Sequence, residues 1–350
     1  MNHQNASQAP HSSTGKQSTE SPGAGSPFVR NMRIRLSWFC LGGLAAFLTV
    51  VLIYPPIRQV AIPYYPCLQT VVRAATGRST FCRFSNALAA TFQNRNKLRL
   101  EKSMRQSCRL IQVDPDGNSL FDSPKGRFWL PKGAGAEFLA ILVAEQTLDV
   151  YTFQDQGVRA GDIVLDCGAN IGIFTREALN KGAKLVVAIE PSPENLVCLR
   201  RNLAREIAES RVVVYEKGVW DRDDKLFLET RDESNPGADQ IRADGSGRVG
   251  TWVPLTTIDK LVAELQLAQV SFIKMDIEGA EQRAMTGAAN TLAQHKPRLA
   301  IATEHGDRLE NTRNVLTIVK RLGPSYKWDC GLCTTEVYPQ VIPEILYFHL

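Results

Sequence analysis

Between residues 136 and 321 apolar runs alternate with helical patterns, and this alternation limits the folds that the chain can adopt. Strand-like runs occupy residues 163–166, 185–190, 211–216, 270–276 and 298–304. Helical patterns occupy residues 136–151, 173–181, 193–208, 256–267, 279–293 and 306–321. Such alternation predicts an α/β fold with a doubly wound, mostly parallel sheet that binds its ligand at the carboxyl ends of the strands. A final apolar run, 344–350, predicts an edge strand.

The first of these strands leads into a glycine loop, in the sequence VLDCGANIGIFT (164–175). The two glycines allow a tight turn, and the helix that follows directs its N-terminus at whatever is bound. A dinucleotide site needs the spacing G-x-G-x-x-G, and a P-loop needs Gly-Lys-Ser/Thr. Here the spacing is Gly168-x-x-x-Gly172, and the carboxylate of Asp166 would repel a phosphate.

The second strand ends in Glu190, about 20 residues after the loop, where a carboxylate can accept both hydroxyls of a ribose. Asp166 beside the glycine turn suits a ligand with an amino group. A ligand with an amino acid end, a ribose and no phosphate is S-adenosylmethionine. We therefore expect this cofactor, with its adenine near the end of the third strand, in 215–220.

The fourth strand carries the most unusual charge pattern in the chain. Lys274, Asp276 and Glu278 alternate with apolar residues, and Glu281 follows Gly279 at the start of a helix. Acidic residues near a helix N-terminus often only stabilise the helix. Three acids and a lysine at a strand end, where a doubly wound sheet binds its ligand, favour a functional site.

Five stretches together resemble a known family. They read VLDCGANIGIF, AIEPSPEN, VPLTTIDKL, FIKMDIEGAE and PRLAIATEH, and the resemblance runs from about residue 112 to 350. This part of the chain resembles the FkbM-type family of S-adenosylmethionine-dependent methyltransferases. The resemblance implies a seven-strand, Rossmann-like methyltransferase fold. It also implies methylation of a hydroxyl on a small-molecule, glycan, lipid-linked sugar or polyketide-like acceptor.

The resemblance also implies roles for individual residues. The residues expected to bind the cofactor are Asp166, Gly168, Asn170 and Gly172 at the methionine end, Glu190 at the ribose and Val219 near the adenine. Methyl transfer to a hydroxyl requires alignment of the acceptor and removal of its proton. The candidate catalytic residues are Asp276, Glu278 and His305, with Glu304 as a further possible base. No metal is predicted, because the acids at 276–281 lack a histidine-rich ligand set.

The N-terminal part of the chain has a different character. Residues 1–29 are polar and predict a disordered tail. Residues 36–54 contain no charged side chain, which meets the ~18-residue threshold for a membrane-spanning helix. A signal peptide has a shorter apolar region and a small-residue cleavage site. The predicted division is a tail (1–29), a basic flank with a transmembrane anchor (30–54), a basic helical linker (55–110) and a methyltransferase domain (111–350).

Charge divides the chain in the same way. Residues 1–110 contain 14 basic and two acidic residues, whereas the remainder contains 27 basic and 34 acidic residues. Basic residues flank both ends of the anchor, so charge alone leaves its orientation open. Because S-adenosylmethionine is made in the cytosol, we expect a single-pass membrane protein with its catalytic domain on the cytoplasmic face. The basic helix at 81–107 could lie on anionic lipid or pack against the domain, and no motif predicts nucleic-acid binding.

Two further segments are expected to have structural rather than functional roles. Cys330 and Cys333 form a single C-x-x-C without a second ligand pair, so we expect reduced thiols rather than a zinc site or a disulfide. The polar run at 231–250 is expected to be a solvated loop, with a lid over the acceptor as the alternative.

Two other functions compete with methyl transfer. An NAD-dependent oxidoreductase would need the third glycine of the dinucleotide loop and no Asp166. A membrane-tethered protein that binds S-adenosylmethionine without turnover, such as a scaffold, would not need the charged residues at 274–281. Transfer of a methyl group to a cell-envelope fraction would separate the leading interpretation from the scaffold.

Overall fold

The computed structural model describes residues 72–73, 76–77, 79, 81–230, 239–243, 245, 249–334 and 341–350. The predicted tail and the predicted anchor lie outside these residues. Among the residues that the structure does describe, no helix is both long and apolar enough to cross a membrane.

The first described elements precede the main sheet in the chain. They are α1 Phe84–Ser107, β1 Arg109–Val113, β2 Ser119–Ser123, β3 Gly126–Leu130 and α2 Ala136–Leu148. The three strands form an antiparallel meander in the order β1-β2-β3. Its inner face is apolar, and Phe128 and Leu130 are 1% and 0% exposed. The meander therefore packs into a core of its own beside α2.

The remaining elements alternate as the sequence predicts. In chain order they are β4 Ile163–Cys167, α3 Ile173–Asn180, β5 Leu185–Ile189, α4 Pro193–Asn202, α5 Ala204–Ala208, β6 Val212–Tyr215, β7 Gly218–Val219, β8 Asp224–Glu229, β9 Gln240–Arg242, β10 Gly250–Thr256, α6 Ile258–Glu264, β11 Phe272–Met275, α7 Glu281–Thr286, α8 Ala289–His295, β12 Arg298–Ala302, α9 Arg308–Leu322, β13 Lys327–Thr334 and β14 Ile342–His349. Each of the five predicted core strands is present within two residues of its predicted ends.

Within the described residues the main sheet has seven strands in the order β13-β14-β12-β11-β4-β5-β6. β14 runs antiparallel to both of its neighbours, and the other pairs are parallel. The predicted mostly parallel, seven-strand α/β sheet is confirmed. Register places Leu165 beside Val187 and Ile273, and these fully buried side chains lie at the centre of the core. Burial of such apolar strands on both faces is what stabilises a parallel sheet.

The predicted position of the last strand was wrong. β14 does not lie at an edge, because it is inserted between β12 and β13 and pairs with both. Its residues Leu346 and Phe348 are 0% exposed, as expected for a strand covered on both sides. In the described part of the chain β13 forms that edge of the sheet.

The basic helix α1 packs against the body. Asn86 and Asn94 donate hydrogen bonds to the backbone oxygens of Cys330 and Cys333, at 2.9 and 3.2 Å. Lys97 forms ion pairs with Glu344 at 3.4 Å and with Glu145 at 3.7 Å. Of the two alternatives for this helix, the structure therefore shows packing on the domain that the sequence places at 111–350.

A disulfide links Cys82, two residues before α1, to the edge strand β13. Cys82 and Cys333 are joined across 251 residues of sequence, and Cys330 keeps a buried thiol. The expectation that both cysteines of the C-x-x-C are reduced was wrong for Cys333. The partner comes from a distant segment that only tertiary packing brings close, and spacing in the sequence does not reveal it.

Removal of this disulfide is expected to lower the free energy of unfolding by about 2–4 kcal/mol, because a long loop in the unfolded chain is then no longer closed. Denaturant unfolding of the wild type, with and without reductant, measures the effect. A Cys82→Ser variant is the control, since reductant should not change its stability further. Equal stability of the oxidised wild type and Cys82→Ser would contradict the assignment.

Candidate functional site

The glycine loop after β4 turns through residues with positive φ angles. These angles are 80° at Gly168, 51° at Asn170 and 88° at Gly172. A Cβ atom on Gly168 would lie 1.9 Å from the backbone oxygen of Asp276, beyond the end of β11. Only glycine allows this close approach of two backbones. The loop and the charged residues after β11 therefore form one continuous surface.

Lys274 binds the backbone of the glycine loop. Its ammonium donates a hydrogen bond to the backbone oxygen of Gly168 at 2.7 Å and lies 3.3 Å from Oδ1 of Asp166. Oδ2 of Asp166 accepts a hydrogen bond from Thr175 at 2.6 Å. Both charged side chains are buried. The charge of Asp166 is thus balanced inside the protein, and Asp166 supports the loop from below rather than lining the space above it.

Glu190 fixes the other side of the loop. Its carboxylate accepts hydrogen bonds from the backbone N–H groups of Asn170 and Ser192, at 2.8 and 2.9 Å, and from the amide of Asn195 at 3.4 Å. Burial raises the pKa of Glu190, against the opposing effect of these hydrogen bonds. Each carboxylate oxygen has about two acceptor positions, so the group can accept further donors from a ligand.

A cavity with about 580 Å³ of open space lies above the loop. Its polar lining residues include Asn170, Glu190, Asp276 and Glu278, and its apolar lining residues include Val219, Leu228, Ile241 and Ile277. S-adenosylmethionine fits this mixed lining. Its ribose and amino acid parts are polar and its sulfonium is cationic, whereas its adenine suits an apolar slot. The glycine cradle and the acceptor capacity of buried Glu190 fit the same cofactor.

The run at 231–250 contributes to this cavity. Its described part contains β9, which pairs with β8, and Ile241 of that strand lines the cavity. The expectation of a merely solvated loop was wrong for this strand. Residues 231–238, 244 and 246–248 lie outside the described residues, so the lid alternative stays a prediction.

Three candidate catalytic residues form one hydrogen-bonded network. Nε2 of His305 lies 2.8 Å from Oδ1 of Asp276, and Nδ1 of His305 lies 3.1 Å from Oε2 of Glu278. Tyr151 donates its hydroxyl to Oδ2 of Asp276 at 2.7 Å. Both oxygens of Asp276 and both nitrogens of His305 are therefore engaged.

The contacts within this network determine the protonation of His305 and Asp276. Burial alone would lower the pKa of His305, but its hydrogen bonds to Asp276 and Glu278 raise it well above the usual range. Burial would raise the pKa of Asp276, but the hydrogen bond from His305 and the charge of Lys274 hold it well below the usual range. At neutral pH the site therefore contains an imidazolium beside a carboxylate anion. Such a histidine cannot accept a proton.

A second cleft, with about 920 Å³ of open space, adjoins the cofactor cavity. The residues that line both spaces are Gly168, Asn170, Asp276 and Glu278. The lining of the cleft includes apolar side chains, among them Phe138, Ile141 and Phe174, and ionisable ones, among them Glu145, Glu304 and His305. Anything bound in the cleft would thus meet the cofactor cavity at Asp276 and Glu278.

The ligand-type atoms of Asp276, Glu278 and His305 lie within 4.8 Å of one another, close enough to hold one metal ion. In this arrangement, however, the imidazole uses both ring nitrogens in hydrogen bonds to carboxylates. A metal-bound histidine needs one ring nitrogen lone pair directed at the metal. The geometry therefore fits a hydrogen-bonded network better than a metal centre.

The structure brings most of the predicted site residues together. Those lining one or both spaces are Gly168, Asn170, Glu190, Val219, Asp276, Glu278 and His305. Asp166 and Gly172 lie outside both linings. A Cβ atom on Gly172 would meet Leu203 at 2.7 Å, so this glycine serves the packing of α3 against its neighbour.

Sequence reasoning missed three participants. Tyr151 follows α2 and binds Asp276, Glu145 lies on α2, and Lys97 comes from the predicted linker. All three are distant in sequence from the strand ends. Glu281, considered as a possible metal ligand, instead accepts hydrogen bonds from the backbone N–H groups of Ile277 and Gly279 at 3.1 and 3.2 Å, and so folds the turn.

Residues 166–326 match the family model of the methyltransferase FkbM domain. The match contains the glycine loop, Glu190, Asp276, Glu278 and His305, whereas Tyr151 and the α2 residues that line the second cleft precede it. Residues 166–326 form an FkbM methyltransferase domain. Its methyl donor is S-adenosylmethionine. The FkbM domain thus includes four of the five parallel core strands in full, together with Asp166 and Cys167 at the end of β4.

Solved structures are similar to the chain at low sequence identity. The methyltransferase FkbM from Methylobacillus flagellatus KT is 20% identical with a TM-score of 0.41, over 73% of this chain and 59% of its own. A precorrin-6y C5,15-methyltransferase from Geobacter metallireducens GS-15 is 12% identical with a TM-score of 0.33, over 59% and 84%. Spermidine synthase from Thermotoga maritima is 12% identical with a TM-score of 0.37, over 69% and 70%. No curated protein matches the chain.

Proposed function

We propose that the chain is an O-methyltransferase that methylates a hydroxyl of a glycan, a lipid-linked sugar or a polyketide-like acceptor at a membrane surface. The observation that carries this proposal is the junction of the two spaces. The cofactor cavity and the second cleft meet at Asp276 and Glu278, where a methyl donor and a hydroxyl acceptor would face each other. Holding two reactants in this way is a large part of the catalysis of such a transfer.

Bound S-adenosylmethionine supplies an electrophilic methyl group, and the chain's own residues must align the acceptor and take its proton. Glu278 lines both spaces, and its side chain is 23% exposed. In the proposed mechanism Glu278 accepts the hydroxyl proton. His305, as an imidazolium, keeps Asp276 ionised and contacts Glu278 through Nδ1, and Asp276 positions His305 together with Tyr151.

The membrane location rests on residues 36–54, which lie outside the described residues. We propose that this uncharged stretch anchors the enzyme and brings it close to a membrane-bound acceptor. The cytoplasmic face remains a prediction, made from the site of S-adenosylmethionine synthesis. The Cys82–Cys333 disulfide stands against that face, because disulfides persist mainly outside the reducing cytosol.

The test uses the full-length protein, methyl-labelled S-adenosylmethionine and a cell-envelope fraction of the source cells as acceptor. We expect label in a product that withstands mild base, because a methyl ether is stable under conditions that hydrolyse a methyl ester. Label that mild base releases as methanol would contradict O-methylation of a hydroxyl. Binding of the cofactor without any label transfer would favour the scaffold function instead.

A further inference from the structure

The second cleft is lined by the carboxyls of Glu145 and Glu304, and Glu344 and Lys97 lie close to them. We call this group the acidic recess: it consists of Glu145 on α2, Glu304 after β12, Glu344 on β14 and Lys97 on α1. The ammonium of Lys97 lies 3.4 Å from Glu344 and 3.7 Å from Glu145. Lys97 thus pairs with two of the three carboxyls, and its charge also acts on the third, Glu304. Glu304 has no hydrogen-bond partner for its carboxyl among the described residues.

Two carboxyls of the acidic recess, Glu145 and Glu304, have raised pKa values. Burial and the neighbouring Glu344 raise the pKa of Glu304 to about 8, although Lys97 and His305 act in the opposite direction. Burial raises the pKa of Glu145 to about 7, against the charge of Lys97. At neutral pH these carboxyls therefore carry protons that an added cation would displace.

The charged groups around Glu304 come from every side of it. They are Glu344, Lys97, His305 and Asp276, and the two cations among them are already engaged with other carboxylates. Lys274, the other cation lining the cleft, is buried against Asp166. No cation among the described lining residues is thus available to bind an anionic group.

We propose that the acidic recess binds a cationic amino group of the acceptor, so that the substrate is an amino-bearing polyol rather than a phosphorylated or carboxylated one. The apolar side chains of Phe138, Ile141 and Phe174, which line the same cleft, would cover the hydrocarbon face of a ring. Glu145 and Glu304 would bind the ammonium group by charge-assisted hydrogen bonds. The reacting hydroxyl would then extend towards Glu278. This inference rests on the proposed methyl transfer and names the acceptor class for the same site.

The test compares three probes with one ring that differ only at carbon 6: 6-amino-6-deoxyglucose, glucose and glucose 6-phosphate. Each is titrated calorimetrically into the full-length protein saturated with S-adenosylhomocysteine. We expect the amine to bind about tenfold more tightly than glucose and glucose 6-phosphate to bind most weakly. Because a bound ammonium favours ionised carboxyls, amine binding should release protons and should be weaker at pH 6 than at pH 8.

Two variants and a control sharpen this comparison. Glu304→Gln should reduce the preference for the amine about tenfold, and Lys97→Met should increase it, because Lys97 competes for the same carboxyls. Glu137→Gln, on the exposed face of α2, should leave the preference unchanged. A loss of preference in both Glu304→Gln and Lys97→Met would indicate a merely structural role and overturn the proposal.

The two proposals fail in different ways. If S-adenosylhomocysteine does not bind, the proposed methyl transfer fails, and this inference fails with it. If S-adenosylhomocysteine binds but 6-amino-6-deoxyglucose binds no more tightly than glucose, or if no probe binds, the proposed acceptor class is wrong. The proposed methyl transfer then still stands.

Discussion

Replacement of Glu278 by Gln is expected to lower the rate of methyl transfer by about 10²–10⁴-fold, the usual contribution of a general base. Gln keeps the size and the hydrogen bond to His305 but cannot accept a proton at neutral pH. The binding of S-adenosylmethionine should change little, because the cavity is also lined by Glu190 and by the backbone of the glycine loop. Single-turnover transfer of labelled methyl groups into the acceptor fraction measures the effect.

Two variants serve as comparisons for Glu278→Gln. Glu310→Gln changes a carboxylate in the first turn of α9, outside both linings, and should leave the rate unchanged. Asp276→Asn should lower the rate as well, but by loosening the position of His305. A Glu278→Gln enzyme with an undiminished rate would show that another group takes the proton.

The second large effect is expected at Gly168. An added Cβ atom would meet the backbone oxygen of Asp276 at 1.9 Å, a contact that requires the loop and the segment after β11 to move apart. We expect Gly168→Ala to abolish detectable binding of S-adenosylmethionine, because the loop and Asp276 line the same cavity. We also expect a fall in the free energy of unfolding by at least about 1–3 kcal/mol, the usual cost of such overpacking.

Gly161→Ala is the matched control for this variant. Gly161 has φ +85°, close to the +80° of Gly168, but an added Cβ atom there would have nothing within 4 Å. Gly161→Ala therefore measures the cost of the left-handed backbone alone. If both variants lose the same free energy of unfolding and both bind the cofactor, the close approach at Gly168 is not needed for cofactor binding, which would contradict the prediction.

The parts of the fold that can be predicted from the sequence are those that depend on local patterns of apolar and polar residues. The five parallel core strands are short apolar runs, and each is closed by a polar or charged residue that the structure places at one edge of the sheet. Gly168, Glu190 and Asp276 follow three different strands. A parallel sheet brings the carboxyl ends of its strands to one edge, independently of the loops that connect them. The site was therefore largely predictable from strand ends.

The remaining features depend on contacts between segments far apart in the chain. Tyr151 binds Asp276 across 125 residues, and Cys82 is linked to Cys333 across 251. Lys97 reaches the acidic recess only because α1 packs on α2 and β13. The place of β14 inside the sheet likewise depends on pairing with both neighbours. No periodicity or motif in one sequence carries information of this kind.

Calorimetric titration of the full-length protein with S-adenosylmethionine, with Glu190→Gln in parallel, tests whether the glycine loop and Glu190 form the cofactor site. We expect saturable binding to the wild type at one site. We also expect binding about ten- to a hundredfold weaker in Glu190→Gln, because hydrogen bonds to the charged carboxylate are lost. Absence of binding to a folded wild type, or equal binding to both proteins, would contradict a cofactor site built around the glycine loop and Glu190.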